Sequence, residues 1–314
     1  MGTFLSFDEF KNIFLDEFER SLEEIRPGIR ETHHLKTQTI EKPNRTLTGF
    51  NMEPNDSSGT RVSPTLYVED AYRDFLNNDY NVYTVAAEAA RTYDTALRNM
   101  PEFTRTPEDL LKDKPITGML VNISANRDLI NSCPHRKYGD LALLYRVQVS
   151  ADENGIASAV ITNDVADFLQ KSEIELFDMA QSHYSVEKGT AIVANLCELI
   201  GMPEMSDSFP AYVITTPSHV YGAAAIISKD VMNTVAEKIG SDNFVLLPSS
   251  LEEFIAMPVP NTSSEIQRLS SMQRNVQREV VDPKDHLSDC IYLCKADKGE
   301  IERIFDGPDL NRDK

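Results

Sequence analysis

The sequence predicts an α+β protein: a mainly antiparallel sheet with helices packed on it, preceded by a helix–hairpin–helix N-terminal module. Three observations predict it. Apolar residues near the N-terminus recur at spacings of three and four, the period of a one-faced helix. Farther along, alternating or wholly apolar runs come in pairs separated by turn residues, as in hairpins. Helical segments fall between those pairs without the strict β-α-β order of a doubly wound parallel sheet.

The first helix is clearly punctuated. Ser6 is placed as N-cap and Glu9 completes a capping box, which satisfies backbone donors that the first turn leaves open. Phe7, Phe10, Phe14, Phe18, Leu22 and Ile25 form one stripe, with Asp8, Asp16, Glu17, Glu19, Glu23 and Glu24 away from it. Pro27-Gly28 ends the helix. Stacked phenylalanines would suit docking on a partner, but a one-faced stripe more simply joins the helix to its own core. Ile29–Glu41 and Arg45–Met52 flank Lys42-Pro43-Asn44 and read as a hairpin. Adjacent His33 and His34 on a strand point to opposite faces and cannot chelate one ion together. Glu53–Gly59 is a loop by composition, Ser63–Val68 is extended, and helices follow near Glu69–Leu76 and Val82–Arg98. Thr106-Pro107 suits a further helix start. The boundary is placed at Lys112–Pro115, giving modules 1–112 and 113–314, or one continuous domain.

In the larger part, Ile116–Ile123 and Leu141–Val149 read as strands, and Asn154-Gly155 turns the second back into Ile156–Thr162. Ser172 and Glu175 form a second capping box ahead of a helix to about His183. Ala191–Ile200 reads as a short apolar helix with Gly201 after it. Ala211–Thr215 and Val220–Ile227 read as another hairpin, Asp230–Ile239 as a helix closed by Gly240, and Asn243–Leu247 as a strand. A polar amphipathic helix lies near Glu265–Glu279, and Asp289–Lys295 and Glu300–Ile304 close the chain around a turn at Asp297-Lys298-Gly299. No internal repeat and no long low-complexity tract is present.

Composition narrows the function. The 314 residues carry 31 Lys+Arg and 50 Asp+Glu, a net charge of −19, and 41% are hydrophobic, enough for a globular core. Direct nucleic-acid binding is not expected, because phosphate neutralisation needs clustered basic residues and the longest cluster is Arg136-Lys137. The longest wholly apolar run is about Gly222–Ile227, well short of the roughly 20 residues of a membrane helix. Asp8 and Glu9, with no basic segment before them, argue against a secretory signal. Acids spread along the chain suit a solvated cytoplasmic surface; imitation of a nucleic acid is the sharper alternative. None of the four cysteines forms a CxxC, and Cys290 and Cys294 would sit about 13 Å apart on one strand, so free buried thiols are expected.

Strong catalytic motifs are absent: no phosphate loop, no GxSxG elbow, no HExxH, no EF-hand and no dinucleotide GxGxxG. No metal site and no cofactor is expected from the scattered histidines. Three polar constellations remain. Cys133 to Asp140 places a thiol, an imidazole and a carboxylate on an expected loop, with His135, Arg136 and Asp140 as candidate binding residues for an anion. A catalytic Cys133 would need exposure and a depressed pKa. The structural alternative is that His135 and Asp140 tie down a turn. Ser249 and Ser250 form the second candidate; Ser250 with Glu253 reads as a capping box at a helix start, whose free amides could hold an anion. His286 to Asp289 contains a Ser, a His and an Asp, but a triad is recognised by geometry, so a turn before the last strand is preferred.

The succession Ser63-Pro64-Thr65-Leu66-Tyr67, Pro134-His135 with Asp140-Leu141-Ala142, Tyr212–Thr215 with Gly222-Ala223, Leu247-Pro248-Ser249-Ser250 with Glu252, and Leu287-Ser288-Asp289 resembles an uncharacterised bacterial family of unknown function. That family is common in anaerobic gut Firmicutes, partly on mobile elements, and the likeness runs from the first helix to about Ile304. The C-terminal two-thirds is similar in layout to the YtpQ-like family. The resemblance implies a cytoplasmic bacterial protein and carries over no catalytic residues. The function expected is a non-catalytic module that binds a protein partner or a small ligand. An enzyme of unfamiliar type with a site around His135 and Ser249/Ser250, or an acidic nucleic-acid mimic, are the alternatives.

Overall fold

The computed structural model describes residues 5–56, 63–77, 81–99, 114–152 and 155–305. The chain divides into two compact units, Met1–Asp109 and Leu110–Lys314. The helix start expected at Thr106 and the division expected after residue 112 lie outside the described residues.

In the first unit, α1 (Phe7–Ile25) and α2 (Ile29–Thr32) precede the antiparallel pair β1 (His33–Lys42) and β2 (Arg45–Pro54). The short β3 (Leu66–Tyr67) adds to β2, and α3 (Val68–Asn77) and α4 (Val82–Asn99) follow. The Ser6–Glu9 capping box is formed. Phe10, Phe14, Phe18 and Leu22 are fully buried, so the stripe belongs to its own core. Phe18 meets Phe50 and Tyr93 edge-on, with centroids 4.9 and 5.6 Å apart. The Tyr93 hydroxyl accepts from the Met52 amide at 2.9 Å, so the polar tip of this buried ring is satisfied. Buried Asp94 pairs with Arg26 at 2.8 Å and Arg98 at 2.7 Å. Burial alone would raise its carboxyl; the bonds and charges of the two arginines outweigh that and hold it below its ordinary value.

The second unit holds two antiparallel sheets. In one, β6 (Leu141–Asp152) pairs with β4 (Ile116–Asn122) on one side and with β5 (His135–Tyr138) and β7 (Gly155–Val160) on the other. The other has the order β13-β12-β10-β11-β9-β8, from β13 (Glu300–Phe305), β12 (Ile291–Lys295), β10 (Asn243–Ser250), β11 (Glu253–Pro258), β9 (Tyr212–Thr215) and β8 (Ile192–Asn195). Leu141, Leu143, Tyr145 and Val147 share one core with Phe244, Leu246, Phe254 and Tyr292. The alternate residues Ala142 and Leu144 pack with Leu129 and Ile130 of α5 (Arg127–Asn131). A strand buried on both faces explains the continuous apolar run of β6. Around these sheets lie α6 (Asn163–Phe168), α7 (Glu173–His183), α8 (Leu196–Leu199), α9 (Lys229–Ile239) and α10 (Ser263–Glu279). Leu269 of α10 covers the outer face of the larger sheet at Val245, Leu247 and Ile291.

Four segments depart from expectation. Ala191–Ile200 is not one helix: Ile192 to Asn195 pair with β9, and the Asn195 side chain then caps α8 by accepting from the Cys197 and Glu198 amides. β-branched Ile192 and Val193 suit the ladder. Val220–Ile227 is not a strand; Gly222–Ile227 is a 3-10 helix, wholly buried, whose small residues let it thread the core. Ser250–Glu253 does not cap a helix: it is the turn between β10 and β11. Phe254 and Ala256 face the main core while Ile255 and Met257 face the other side, a strand period of two. His135–Tyr138 is a strand rather than loop, turned into β6 at Gly139, whose φ of 62° favours glycine.

Candidate functional site

The residues predicted to bind are all engaged within the fold. Arg136 forms a two-point ion pair with Glu173 of α7, Nε to Oε1 at 3.1 Å and Nη2 to Oε2 at 3.0 Å. Its guanidinium lies over the Phe177 ring, 3.5 Å from the centre, and the Tyr145 hydroxyl donates to the same carboxylate. His135 Nδ1 donates to the Cys133 carbonyl at 3.0 Å. Cys133 meets neither condition for a nucleophile: it is buried, and burial pushes its thiol up.

Asp140 is the node of a network between the two sheets. Its Oδ1 accepts from the Tyr292 hydroxyl at 2.6 Å and its Oδ2 from the Ser288 hydroxyl at 2.8 Å. Burial and the Asp140 charge push Tyr292 well above its ordinary value, so it remains a donor. Ser249 donates to Glu253 Oε1 at 2.8 Å, and Ser250 Oγ accepts from the Glu252 amide at 3.0 Å. Gln273 of α10 donates to the carbonyls of Pro248 and Ser288. The two segments are thus joined by a relay, Asp140 to Ser288 to Gln273 to Pro248, with no direct hydrogen bond between Asp140 and Ser249 or Ser250 among the described residues. From the third constellation, His286 lies 3.0 Å from Asp289 while Ser288 points to Asp140, so no triad assembles. Neither cavity described below is lined by His135, Arg136, Asp140, Ser249 or Ser250.

The residue that sequence reasoning missed is Arg146. It sits on β6 opposite Thr117 of β4 and Val160 of β7, on the same face as Ala142 and Leu144. Arg146 lines a cavity of about 210 Å³ together with Thr216, Pro217, Ser218, Val220 and Tyr221 of the turn after β9. Nε and Nη2 donate to Ser158 Oγ at 3.1 and 2.6 Å, Nη2 also to the Ser158 carbonyl at 3.0 Å, and Nη1 reaches Met119 Sδ at 3.5 Å. The Tyr221 ring lies over it, 4.5 Å from centre to guanidinium carbon. Among the described residues no carboxylate pairs with Arg146, and none lines the cavity. Burial pulls its pKa down, opposed only by Tyr221 and Tyr184; an arginine nonetheless stays charged.

Three further polar groups in this cavity, the side chains of Thr117, Gln148 and His183, have no hydrogen-bond partner among the described residues. Burial lowers the His183 pKa and so favours its neutral form. The turn after β9 is held in unusual backbone geometry: His219 and Tyr221 have φ of 59° and 52°, each costing about 1–2 kcal/mol for a residue with a side chain. Such outliers concentrate at ligand sites. The sequence signal was a single charge inside the apolar run Leu141–Val147. A larger open groove of about 1230 Å³ runs past Phe209, Val259, Met272 and Val276. Its charges, Glu265, Arg268 and Glu279, have mixed sign and provide no single electrostatic preference.

Among the described residues, no group of three or more His, Cys, Asp or Glu side chains is arranged to hold a metal ion, and no helix is long and apolar enough to cross a membrane. No curated protein and no solved structure matches the chain. A family model does match, over residues 7–295 of an α+β fold built as described, and the chain therefore belongs to DUF5688, a family of unknown function.

Proposed function

We propose that this protein is a non-catalytic ligand-binding protein whose ligand is a small anion held over Arg146. The observation that carries this reading is a half-buried guanidinium with no carboxylate opposite it among the described residues. Removing a charge from water is expensive unless a counter-charge compensates. Ser158 and the Tyr221 ring compensate in part, and an anion in the cavity would supply the rest. Non-catalytic is the reading because the His183 imidazole has no hydrogen bond to a hydroxyl or carboxylate among the described residues, so no activated nucleophile is assembled there. We place the protein in the bacterial cytoplasm. The four cysteines are free, and burial pushes Cys294 up to about 12, which suits a reducing compartment.

Thermal denaturation and titration calorimetry at low ionic strength test this with inorganic phosphate, sulfate and acetate, and with glycerol as the neutral control. Wild-type protein should be stabilised by at least one anion and not by glycerol, and Arg146→Gln should lose that response. An equal response in both proteins, or none in wild type, refutes the reading.

A further inference from the structure

We infer that the anion is a phosphate monoester on a small hydroxylated carbon frame, an inference that rests on the anion-binding reading of the Arg146 cavity. Three observations carry it.

The first is which edge of the guanidinium is left. A carboxylate is best recognised by two parallel N–H groups of one arginine. Here the Nε–Nη2 edge is occupied by Ser158, through its hydroxyl and its carbonyl. Nη1 makes only a 3.5 Å contact to the Met119 sulfur. A ligand in the cavity therefore meets a single-point donor rather than a fork.

The second is where the remaining donors stand. The Thr117 hydroxyl comes from β4, the Gln148 amide from β6 and the His183 imidazole from the end of α7, each without a hydrogen-bond partner among the described residues. Single donors on separate elements suit an anion with three oxygens spread in space more than one with two oxygens in a plane. No carboxylate among the described lining residues repels a second partial negative charge, and a phosphate monoester carries between one and two.

The third is size. At about 210 Å³ the cavity falls below the roughly 300–1,000 Å³ of sites for drug-sized ligands, which points to a small molecule. That admits a phosphate group with a three- or four-carbon frame beside it. That frame would lie against Val220 and the Tyr221 ring, with the Ser218 hydroxyl within the same wall.

The test compares glycerol phosphate with glycerate, which share a three-carbon hydroxylated frame and differ in the anionic group. Binding is measured by calorimetry and, for the phosphate, by ³¹P line broadening. The expected result is at least tenfold tighter binding of glycerol phosphate. Arg146→Gln should abolish it. Thr117→Val removes one donor at a half-buried strand position with an isosteric side chain and should weaken binding severalfold while leaving the melting temperature close to that of wild type; it serves as the readout if Arg146→Gln does not fold. Glycerate binding as tightly as glycerol phosphate, or more tightly, overturns the phosphate assignment and leaves the anion reading standing. If neither compound binds and the simple anions also fail, both are overturned. Phosphate binding that is unchanged in Thr117→Val and in Arg146→Gln places the anion elsewhere and overturns the inference.

Discussion

Replacing Gly222 with alanine should destabilise the second unit by about 2–4 kcal/mol. A Cβ built on Gly222 would lie 2.8 Å from the Thr216 amide nitrogen and closer still to the Glu252 carbonyl oxygen and Thr215 Oγ1. Ordinary van der Waals contact begins at about 3.4 Å, and two of these three atoms are backbone, which cannot rotate away. Overpacking of this kind costs about 1–3 kcal/mol. The same methyl would separate Thr215 Oγ1 from the Glu252 carbonyl, which it now meets at 2.7 Å, for about 1 kcal/mol more. Urea denaturation followed by circular dichroism reads the change. At roughly 2 kcal/mol per molar, the midpoint should fall by about 1–2 M. Gly189→Ala is the control: nothing lies within 4 Å of its Cβ, so only the strain of φ +71° remains, about 1 kcal/mol. A Gly222→Ala midpoint within experimental error of wild type would refute the reasoning, because the close approach of the Thr216–Tyr221 turn to the β10–β11 turn would then not require a missing side chain.

Phe18→Ala should cost about 3–5 kcal/mol by the same assay, since the ring is fully buried against Phe50 and Tyr93; a loss below 1 kcal/mol would return the phenylalanine stripe to the role of an external docking face. Acid should weaken the first unit through Asp94. Its folded pKa lies below the ordinary 3.8, so its contribution is complete above the unfolded value and is lost as pH falls through the folded one. Urea midpoints of wild type and Asp94→Asn between about pH 2.5 and 6 should therefore converge at the acid end, and a constant difference would contradict the pairing with Arg26 and Arg98.

Elements with strong local signals were legible from the residues. The capping boxes at Ser6 and Ser172 formed as read, because each is closed within one helical turn and needs no distant partner. Gly240 adopts the left-handed conformation that ends α9 for the same local reason. Short apolar runs were the failures. Ala191–Ile200, Val220–Ile227 and the segment after Ser250 have no long period, and helix and strand then compete on what the neighbouring chain offers. Ile192 and Val193 joined a ladder because β9 lay beside them, while Gly222–Ile227 coiled because the centre of a packed core admits small residues in a tight helix.

The candidate site divided along the same line. Composition, period and caps act over a few residues, and they dictate an α+β chain with a phenylalanine-faced helix, an excess of acids and free thiols. The sequence also contained the one anomaly that matters, an arginine within an apolar strand, but nothing local distinguishes a paired arginine from an unpaired one. Packing separates the two: Arg136 meets Glu173, while Arg146 meets no acid among the described residues. Partnership between charges depends on which strands and helices are brought side by side, and that is a property of the packed chain rather than of any segment in it.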